Sequence, residues 1–274
     1  MIAHKIELVG INGDTITLAD PAQARREGVA LREVPDNFSG FPTNHVWESG
    51  WAQQGGLWRG TQGSNESLQL DVQVKNTRRP RYWVNRLLDA LGDGRRVARL
   101  RVTVDGKPRT LNVRMEEASN VDWGEGQTAL TSVHAQFSIR LAVPRPLWQL
   151  PRESVTLTKV STFGIIPLST AGDTPIWPKF TVTGTHKGVK LRLTATDTEQ
   201  VLPANAGGWV VETQPERRGI RTVAGAYDFA GVVPFWPEPV EVQDGRGEVR
   251  VTPESPGSDF KLVIDWIPEA RRAW

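Results

Sequence analysis

Hydrophobic and polar residues alternate along most of this chain, and a period of two is typical of β-strands with one buried face. Near the start, two alternating segments flank Asn12-Gly13-Asp14, whose glycine suits a hairpin turn. A second pair of segments flanks Asp105-Gly106 in the same way. Longer alternating segments cover residues 67–76 and 131–143. The pattern therefore predicts a mostly antiparallel sheet in the first half of the chain.

One segment of the first half has a helical period instead. Within residues 78–94, apolar side chains recur at spacings of one, three and four, which places them on one side of a helix. Pro80 suits the first turn of that helix, and Gly92 suits its end. The apolar positions are Trp83, Val84, Leu87, Leu88 and Leu91. We expect a single helix that packs on the sheet.

Three prolines mark the passage into the second half of the chain. Pro144, Pro146 and Pro151 stiffen this segment, because proline fixes its own backbone and extends the residue before it. We therefore predict two domains, residues 1–148 and residues 149–274. Six short strand patterns follow, separated by Gly, Pro and Asp, which favours a sandwich. They cover residues 154–160, 177–184, 188–196, 208–214, 246–257 and 260–268. The predicted fold class is all-β with one helix.

Three details of the second half carry more specific expectations. Pro175 and Pro178 bracket Trp177 just before a strand pattern, so we expect an edge strand, where a missing N–H costs nothing. The apolar residues of 260–266 are dense enough to predict a strand covered on both faces. Residues 208–231 are long and charged for a compact strand pair, which suggests that the middle of this segment is an inserted loop.

Composition and charge exclude several function classes. Thirty-three basic and thirty-one acidic side chains give a net charge of +2, and the basic pairs are interleaved with acids, unlike a nucleic-acid binder. The absence of cysteine excludes disulfides and thiolate chemistry. The four histidines have no metal-ligand spacing, and no nucleophile or phosphate-loop signature accompanies them. We expect no catalysis, cofactor or metal, and no stretch is long and apolar enough to span a membrane.

Tryptophan is the one residue type in clear excess, with eleven tryptophans against two tyrosines. Trp47, Trp51 and Trp58 lie together in a polar, glycine-rich stretch without a clear period, which we interpret as a long loop. These rings could anchor that loop to the core, form a contact surface for a partner, or stack on sugars. The sequence leaves all three interpretations open.

The layout and several short motifs resemble one known family. Gly172 and Pro175 open the second domain in "AGDTPIWPKFTVTG", after the proline-marked junction "VPRPLW". Pro256 and Gly257 form a turn before the last strand. Together with the single helix, these features resemble the distal tail proteins of long-tailed (siphovirus-type) bacteriophages, and the ending "WIPEARRAW" resembles tail proteins of actinobacteriophages. The resemblance implies a sandwich or barrel-like first domain that forms a ring, and a galectin-like β-sandwich as the second.

The same resemblance implies a structural virion protein of the phage tail tip, made in the host cytoplasm. It would form a homohexameric ring that joins the tail tube protein to the tail-tip hub and other baseplate proteins, with DNA only in transit. Contacts are expected at the sheet edges, the helix 81–91 and the tryptophan-rich stretch. The candidate interface residues are Trp47, Trp51, Trp58, Trp83, Arg271, Arg272 and Trp274.

The end of the chain carries an expectation of its own. A terminus that ends in two arginines and a tryptophan is unusual for a free, solvated end. We expect Trp274 to pack against the first domain or a neighbouring subunit, with Arg271 or Arg272 near an acidic partner. The alternative function is a carbohydrate-binding module that recognises a host cell-wall glycan through exposed tryptophans, and a wall-degrading hydrolase is a third.

Overall fold

A computed structural model describes residues 4–23, 26–42, 44–48, 57–62, 66–193, 199–217, 219–226 and 239–274. The chain divides into two compact units, Met1–Gln149 with Arg271–Trp274, and Leu150–Ala270. The division lies one residue past the predicted boundary. The last four residues, which the prediction assigned to the second domain, belong to the first unit. The second unit is therefore an insertion in the chain of the first.

The first unit contains ten strands and one α-helix within the described residues. The strands are β1 (Lys5–Val9), β2 (Thr15–Ala19), β3 (Gly28–Leu31), β4 (Asn44–Glu48), β5 (Leu57–Gln62), β6 (Glu66–Lys75), β7 (Ala98–Val104), β8 (Lys107–Ala118), β9 (Ala135–Val143) and β10 (Trp148–Gln149). The α-helix is α1 (Pro80–Leu91), and short 3-10 helices cover Pro21–Gln23 and Asp36–Ser39.

The main sheet of the first unit follows the order β2, β1, β7, β8, β9, β6, β3 with antiparallel neighbours. Its two end strands, β2 and β3, lie beside each other, so the sheet is a nearly closed barrel. The predicted hairpin turns are confirmed: Asp105 and Gly106 both have positive φ, as a two-residue hairpin turn requires. Alternate residues of each strand fill the barrel, for example Leu68, Leu70, Val72 and Val74 of β6.

The predicted helix is also confirmed, with Pro80 in its first turn and Gly92 just beyond its end. The helix packs where β1 ends and β3 begins, because the Ile11 amide donates to the Ala90 carbonyl at 2.8 Å and the Trp83 ring lies over Gly28. Its buried face consists of Pro80, Val84, Leu87, Ala90 and Leu91. The helix therefore closes one end of the barrel.

Aromatic rings close the other end of the barrel. Phe38, in the second 3-10 helix, is fully buried and contacts the Trp148 ring edge-on at 5.0 Å between centroids. The Trp274 ring lies 5.7 Å from the same phenylalanine. Phe38 and Trp148 belong to the same buried cluster as the strands of the barrel, and the partly buried Trp274 packs against it. One continuous core therefore extends from α1 to these aromatic rings.

The second unit consists of strands and one 3-10 helix (Pro215–Arg217) in the described residues. Its strands are β11 (Glu153–Thr158), β12 (Gly164–Ser169), β13 (Lys179–Thr183), β14 (Gly188–Leu193), β15 (Glu199–Pro203), β16 (Trp209–Glu212), β17 (Gly219–Thr222), β18 (Arg246–Glu254), β19 (Lys261–Trp266) and β20 (Glu269–Ala270).

Two antiparallel sheets form this unit, with the orders β11-β19-β13-β16-β17 and β12-β18-β14-β15. Phe180 and Leu262 from the first sheet share one buried cluster with Val189 and Val251 from the second. The unit is therefore a two-layer β-sandwich, and the all-β fold class with one helix is confirmed.

The expectation of an edge strand after the two prolines is wrong. β13 lies inside its sheet and pairs with β19 on one side and β16 on the other. Pro178 precedes Lys179, the first residue of the strand, so neither proline removes a hydrogen bond from the ladder. The prolines mark where the strand starts and carry no information about its neighbours.

Two further expectations for the second unit are corrected. Along β19, Leu262, Ile264 and Trp266 are buried while Val263 and Asp265 are partly exposed, so the strand is fully covered on one face only. In the segment interpreted as an inserted loop, β17 pairs with β16 as a hairpin. The remainder of that segment from residue 227 lies outside the described residues.

Glycine is required at residue 28, where the barrel meets α1. Gly28 has φ +112°, which L-residues rarely adopt, and an added methyl group would lie 3.0 Å from the Trp83 ring. We predict that Gly28→Ala lowers the free energy of unfolding by about 2 to 4 kcal/mol, through backbone strain and overpacking. Gly13→Ala is the matched control, because its φ is +85° but nothing lies within 4 Å. Urea unfolding that shows equal losses at both positions would contradict the steric argument.

A buried histidine in the second unit predicts that its stability depends on pH. His186 is 6% exposed, neither ring nitrogen has a hydrogen-bond partner in the described residues, and burial lowers its pKa below the ordinary 6.5. Because the unfolded chain binds a proton more readily, stability is complete above about pH 6.5 and falls as the pH decreases below it. We predict that thermal unfolding of the full chain shows this loss and that His186→Phe removes it.

Two controls separate His186 from other groups. The pKa of Asp259 is lowered from 3.8 by hydrogen bonds from the Thr185 amide and hydroxyl, so its contribution is lost only in a more acidic range. His134 is exposed, and His134→Phe should keep the original pH dependence. An unchanged slope between pH 5 and 6.5 in His186→Phe would refute the assignment.

Candidate assembly surfaces

The tryptophan-rich stretch of the first unit forms a hairpin. β4 and β5 pair as a two-stranded antiparallel sheet in which Trp47 lies opposite Trp58. The interpretation of this stretch as a loop is therefore wrong for the residues of both strands. A register irregularity between Val46 and Trp47 breaks the period of two, which explains why alternation did not reveal it. Trp51 lies outside the described residues.

Trp83 is fixed within the first unit by several contacts. Its indole N–H donates to the Glu27 carboxylate at 3.3 Å, and that carboxylate also accepts from the Thr77 hydroxyl at 2.6 Å. These hydrogen bonds lower the pKa of Glu27. The Arg86 guanidinium lies 5.3 Å from the centroid of the indole ring. Trp83 therefore helps to hold α1 against β3, and its role in contacts with another protein stays a prediction.

The outward side of the start of α1 is basic. Arg78, Arg79 and Arg81 are all exposed there, and the side chain of Tyr82 is 55% exposed. The first turn contains no acidic residue. Neither Arg78 nor Arg81 forms an ion pair with any residue that the structure describes. We call these four residues the arginine surface.

An acidic groove lies beside the start of β6. It has a volume of about 460 Å³, and its acidic lining residues are Glu33, Asp36 and Asp71. The Asn37 amide donates to the Ser67 carbonyl at 2.9 Å, which fixes the 3-10 helix against the strand. Asp71 accepts hydrogen bonds from the Ser138 hydroxyl and from Gln69.

One basic residue, Arg140, also lines the acidic groove. Its guanidinium lies 3.4 Å from the Glu116 carboxylate, and one guanidinium stands against three carboxylates in the lining of the groove. The groove therefore has a net negative charge from its three carboxylates. Sequence reasoning missed this surface, because segments far apart in the chain contribute to it.

The C-terminal residues are part of the first unit. Trp274 stacks on His4 with 5.3 Å between ring centroids, and the Ala273 amide donates to the Phe38 carbonyl at 2.9 Å. The Arg109 guanidinium donates to the Arg272 carbonyl at 2.9 Å. Trp274 thus packs in the first unit, one of the two places expected for it. Arg271 and Arg272 are exposed, and their role as interface residues stays a prediction.

Features of other functional classes are not seen in the described part of the chain. No group of three or more His, Cys, Asp or Glu side chains is arranged to hold a metal ion among the described residues. None of the described helices is long and apolar enough to cross a membrane. The tryptophans with described side chains are all buried or half-buried, so none of them offers a fully open face for stacking on a sugar.

Comparison with solved structures finds similar folds among phage proteins. The Dit protein of phage SPP1, described as a paradigm of the hub of the adsorption apparatus in phages that infect Gram-positive bacteria, aligns with a TM-score of 0.60 and 14% identity. The alignment covers 96% of this chain and 98% of that chain. No protein-family model matches the sequence, and no curated protein matches it significantly.

Two structures of the phage P2 baseplate in its activated conformation, with Ca and with Sr, align with TM-scores of 0.46 and 0.42. Both have 9% identity and cover 96% of this chain and 98% of theirs. The similarity to SPP1 Dit covers almost the whole of both chains. At this level of identity it shows the fold alone.

The packing of Trp274 predicts a stabilising role for the last residue. Trp274→Ala should lower the free energy of unfolding of the first unit by about 1.5 to 3 kcal/mol, because its ring contacts with His4 and Phe38 are lost. Arg272→Ala removes only an exposed side chain and keeps the carbonyl that Arg109 binds, so we expect less than about 0.5 kcal/mol. Denaturant unfolding measures both, and equal stability of wild type and Trp274→Ala would contradict the prediction.

Proposed function

We propose that this protein is a structural component of a phage tail, a distal tail protein that connects the tail tube to the adsorption apparatus. The observation that carries the proposal is the similarity to SPP1 Dit, which covers 96% of this chain and 98% of that chain. The motifs around the second-domain start and the C-terminal sequence support it independently. The proposed location is the virion, at the tail tip, and the C-terminal sequence favours an actinobacterial host.

The proposed assembly is a homohexameric ring. A closed ring needs two different surfaces on each subunit, because each copy contacts one neighbour with one surface and the other neighbour with the second. The first unit is a nearly closed barrel, which suits the ring itself. The tail tube protein would bind on one side of the ring, and the hub and other baseplate proteins on the other.

The second unit is proposed as a docking platform for other tail parts. Its galectin-like character belongs to this proposal, and a sandwich fold by itself does not imply sugar binding. Within its described residues, Trp209 and Trp266 are buried and Trp177 is half-buried, which disfavours a tryptophan platform for glycan. We propose a non-catalytic role for the whole chain.

DNA would pass through the ring without being held. Arginines on a channel wall would attract phosphates in a salt-dependent way and slow this passage. The segments 78–81 and 94–99, both rich in arginine, are therefore proposed not to line the channel together.

The ring is tested on the purified full-length chain. Native mass spectrometry should show six copies of the 30.4 kDa chain, and negative-stain electron microscopy should show rings with an open centre. Antibody against the protein should label the tail tip of the phage. A protein that is monomeric at all concentrations and is retained on cell-wall glycan resin would overturn the proposal and favour the carbohydrate-binding alternative.

A further inference from the structure

Two surfaces of opposite charge lie at opposite ends of β6 in the first unit. Ser67, near the start of this strand, borders the acidic groove, and Lys75 at its end leads directly to Arg78 and α1. Eight residues of strand separate Ser67 from Lys75, about 26 Å at roughly 3.3 Å per residue. One unit thus carries the arginine surface and the acidic groove on different sides.

Each surface keeps an excess of one charge within the unit that carries it, although the Glu27 carboxylate lies beside Arg78 and Arg79. Arg78 and Arg81 have no ion-pair partner in the described residues, and Arg140, the basic residue of the groove, is engaged by Glu116. Like charges that are held close together repel each other. The approach of a surface of opposite charge therefore stabilises each cluster electrostatically. The groove is also concave, so it can receive a projecting helix end.

We propose that the arginine surface of one copy docks into the acidic groove of the next copy. This inference rests on the proposed ring and names the contact that would form it. The contact is heterologous: Arg78 and Arg81 of one subunit face Glu33 and Asp36 of its neighbour, and Tyr82 adds apolar contact area. Two surfaces on different sides of one unit are what a head-to-tail ring requires.

A second copy of the chain explains the charge pattern better than nucleic acid does. Nucleic acid would bind the arginine surface but would leave the acidic groove without a role. The net charge of the whole chain is only +2, so its basic surface is balanced by acidic surface elsewhere on the same molecule. Docking between copies also removes Arg78 and Arg81 from any channel through which DNA passes.

The test exchanges the charges of the two surfaces. Variant one carries Arg78→Glu and Arg81→Glu, and variant two carries Glu33→Lys and Asp36→Lys; all four residues are exposed. Each variant alone should weaken self-association more than about tenfold, because like charges then meet in every contact. Mixed in equal amounts, the two variants should restore the oligomer, since each surface of one then faces an opposite charge on the other.

A control variant and the salt dependence of the wild type distinguish charge complementarity at the contact from a general effect of net charge on self-association. Lys159→Glu with Arg250→Glu, at exposed positions of the second unit, changes the net charge as much as variant one and should leave the oligomer intact. Wild-type association should weaken as salt is raised to about 0.5 M, where surface charges are screened. Circular dichroism confirms that each variant is folded. If the double reversal does not fold, Arg78→Ala with Arg81→Ala replaces variant one in the measurement of self-association alone, because its neutral surface cannot take part in the mixing test.

The outcomes distinguish this contact from the ring itself. A wild-type oligomer that the charge changes leave intact would overturn the proposed contact while the ring stands. Weakened variants that do not recover on mixing would also overturn it, because complementarity predicts the rescue. A wild-type protein that is monomeric under all conditions would overturn the ring and this contact together.

Discussion

A barrel of seven strands has two open ends, and the first unit depends on how those ends are closed. The strands direct alternate side chains inward, so an open end would expose the apolar interior to water. The amphipathic helix α1 covers one end with a single apolar face. Phe38, Trp148 and Trp274 cover the other end. Gly28 allows α1 to cover its end of the barrel, because a larger residue at this position would push the Trp83 ring of α1 away from β3.

The aromatic end of the barrel is completed by residues that follow the second unit in the sequence. Trp274 is the last residue, yet it packs with Phe38 and His4 in the first unit. The chain therefore completes its first unit only after residues 150–270 have been synthesised. Domains usually fold in order as the chain emerges, but here the aromatic end of the barrel stays incomplete until residue 274 has been synthesised.

The sequence predicted those elements whose signals are local. Asp105-Gly106 has the turn chemistry of a hairpin, and the spacing of Val84, Leu87 and Leu91 defines a helix without knowledge of the rest of the fold. The position of a strand within its sheet depends on strands that are distant in the sequence. This is why β13 was wrongly predicted to be an edge strand. Strand β12 escaped prediction because Pro167 interrupts its pattern, which its position at the edge of a sheet permits.

The candidate surfaces show the same limit. The basic cluster is predictable from the sequence alone, because Arg78, Arg79 and Arg81 are close neighbours along the chain. Glu33, Asp36 and Asp71 form a groove only because Asn37 holds its 3-10 helix against β6. The groove requires contact between two segments that are distant in the sequence. The hydrophobic pattern of either segment alone therefore cannot predict it.

The two closures also determine where the charges of the first unit lie. Because α1 uses its apolar face to cover the barrel, its polar side and the arginines that precede it must face outward at that end. Because Phe38 points into the opposite end, the neighbouring Asp36 is left exposed beside the start of β6. The packing that seals the core therefore leaves a basic surface at one end of β6 and an acidic surface at the other. A unit built in this way carries the two opposite surfaces that the proposed head-to-tail contact would need, as a consequence of its own folding.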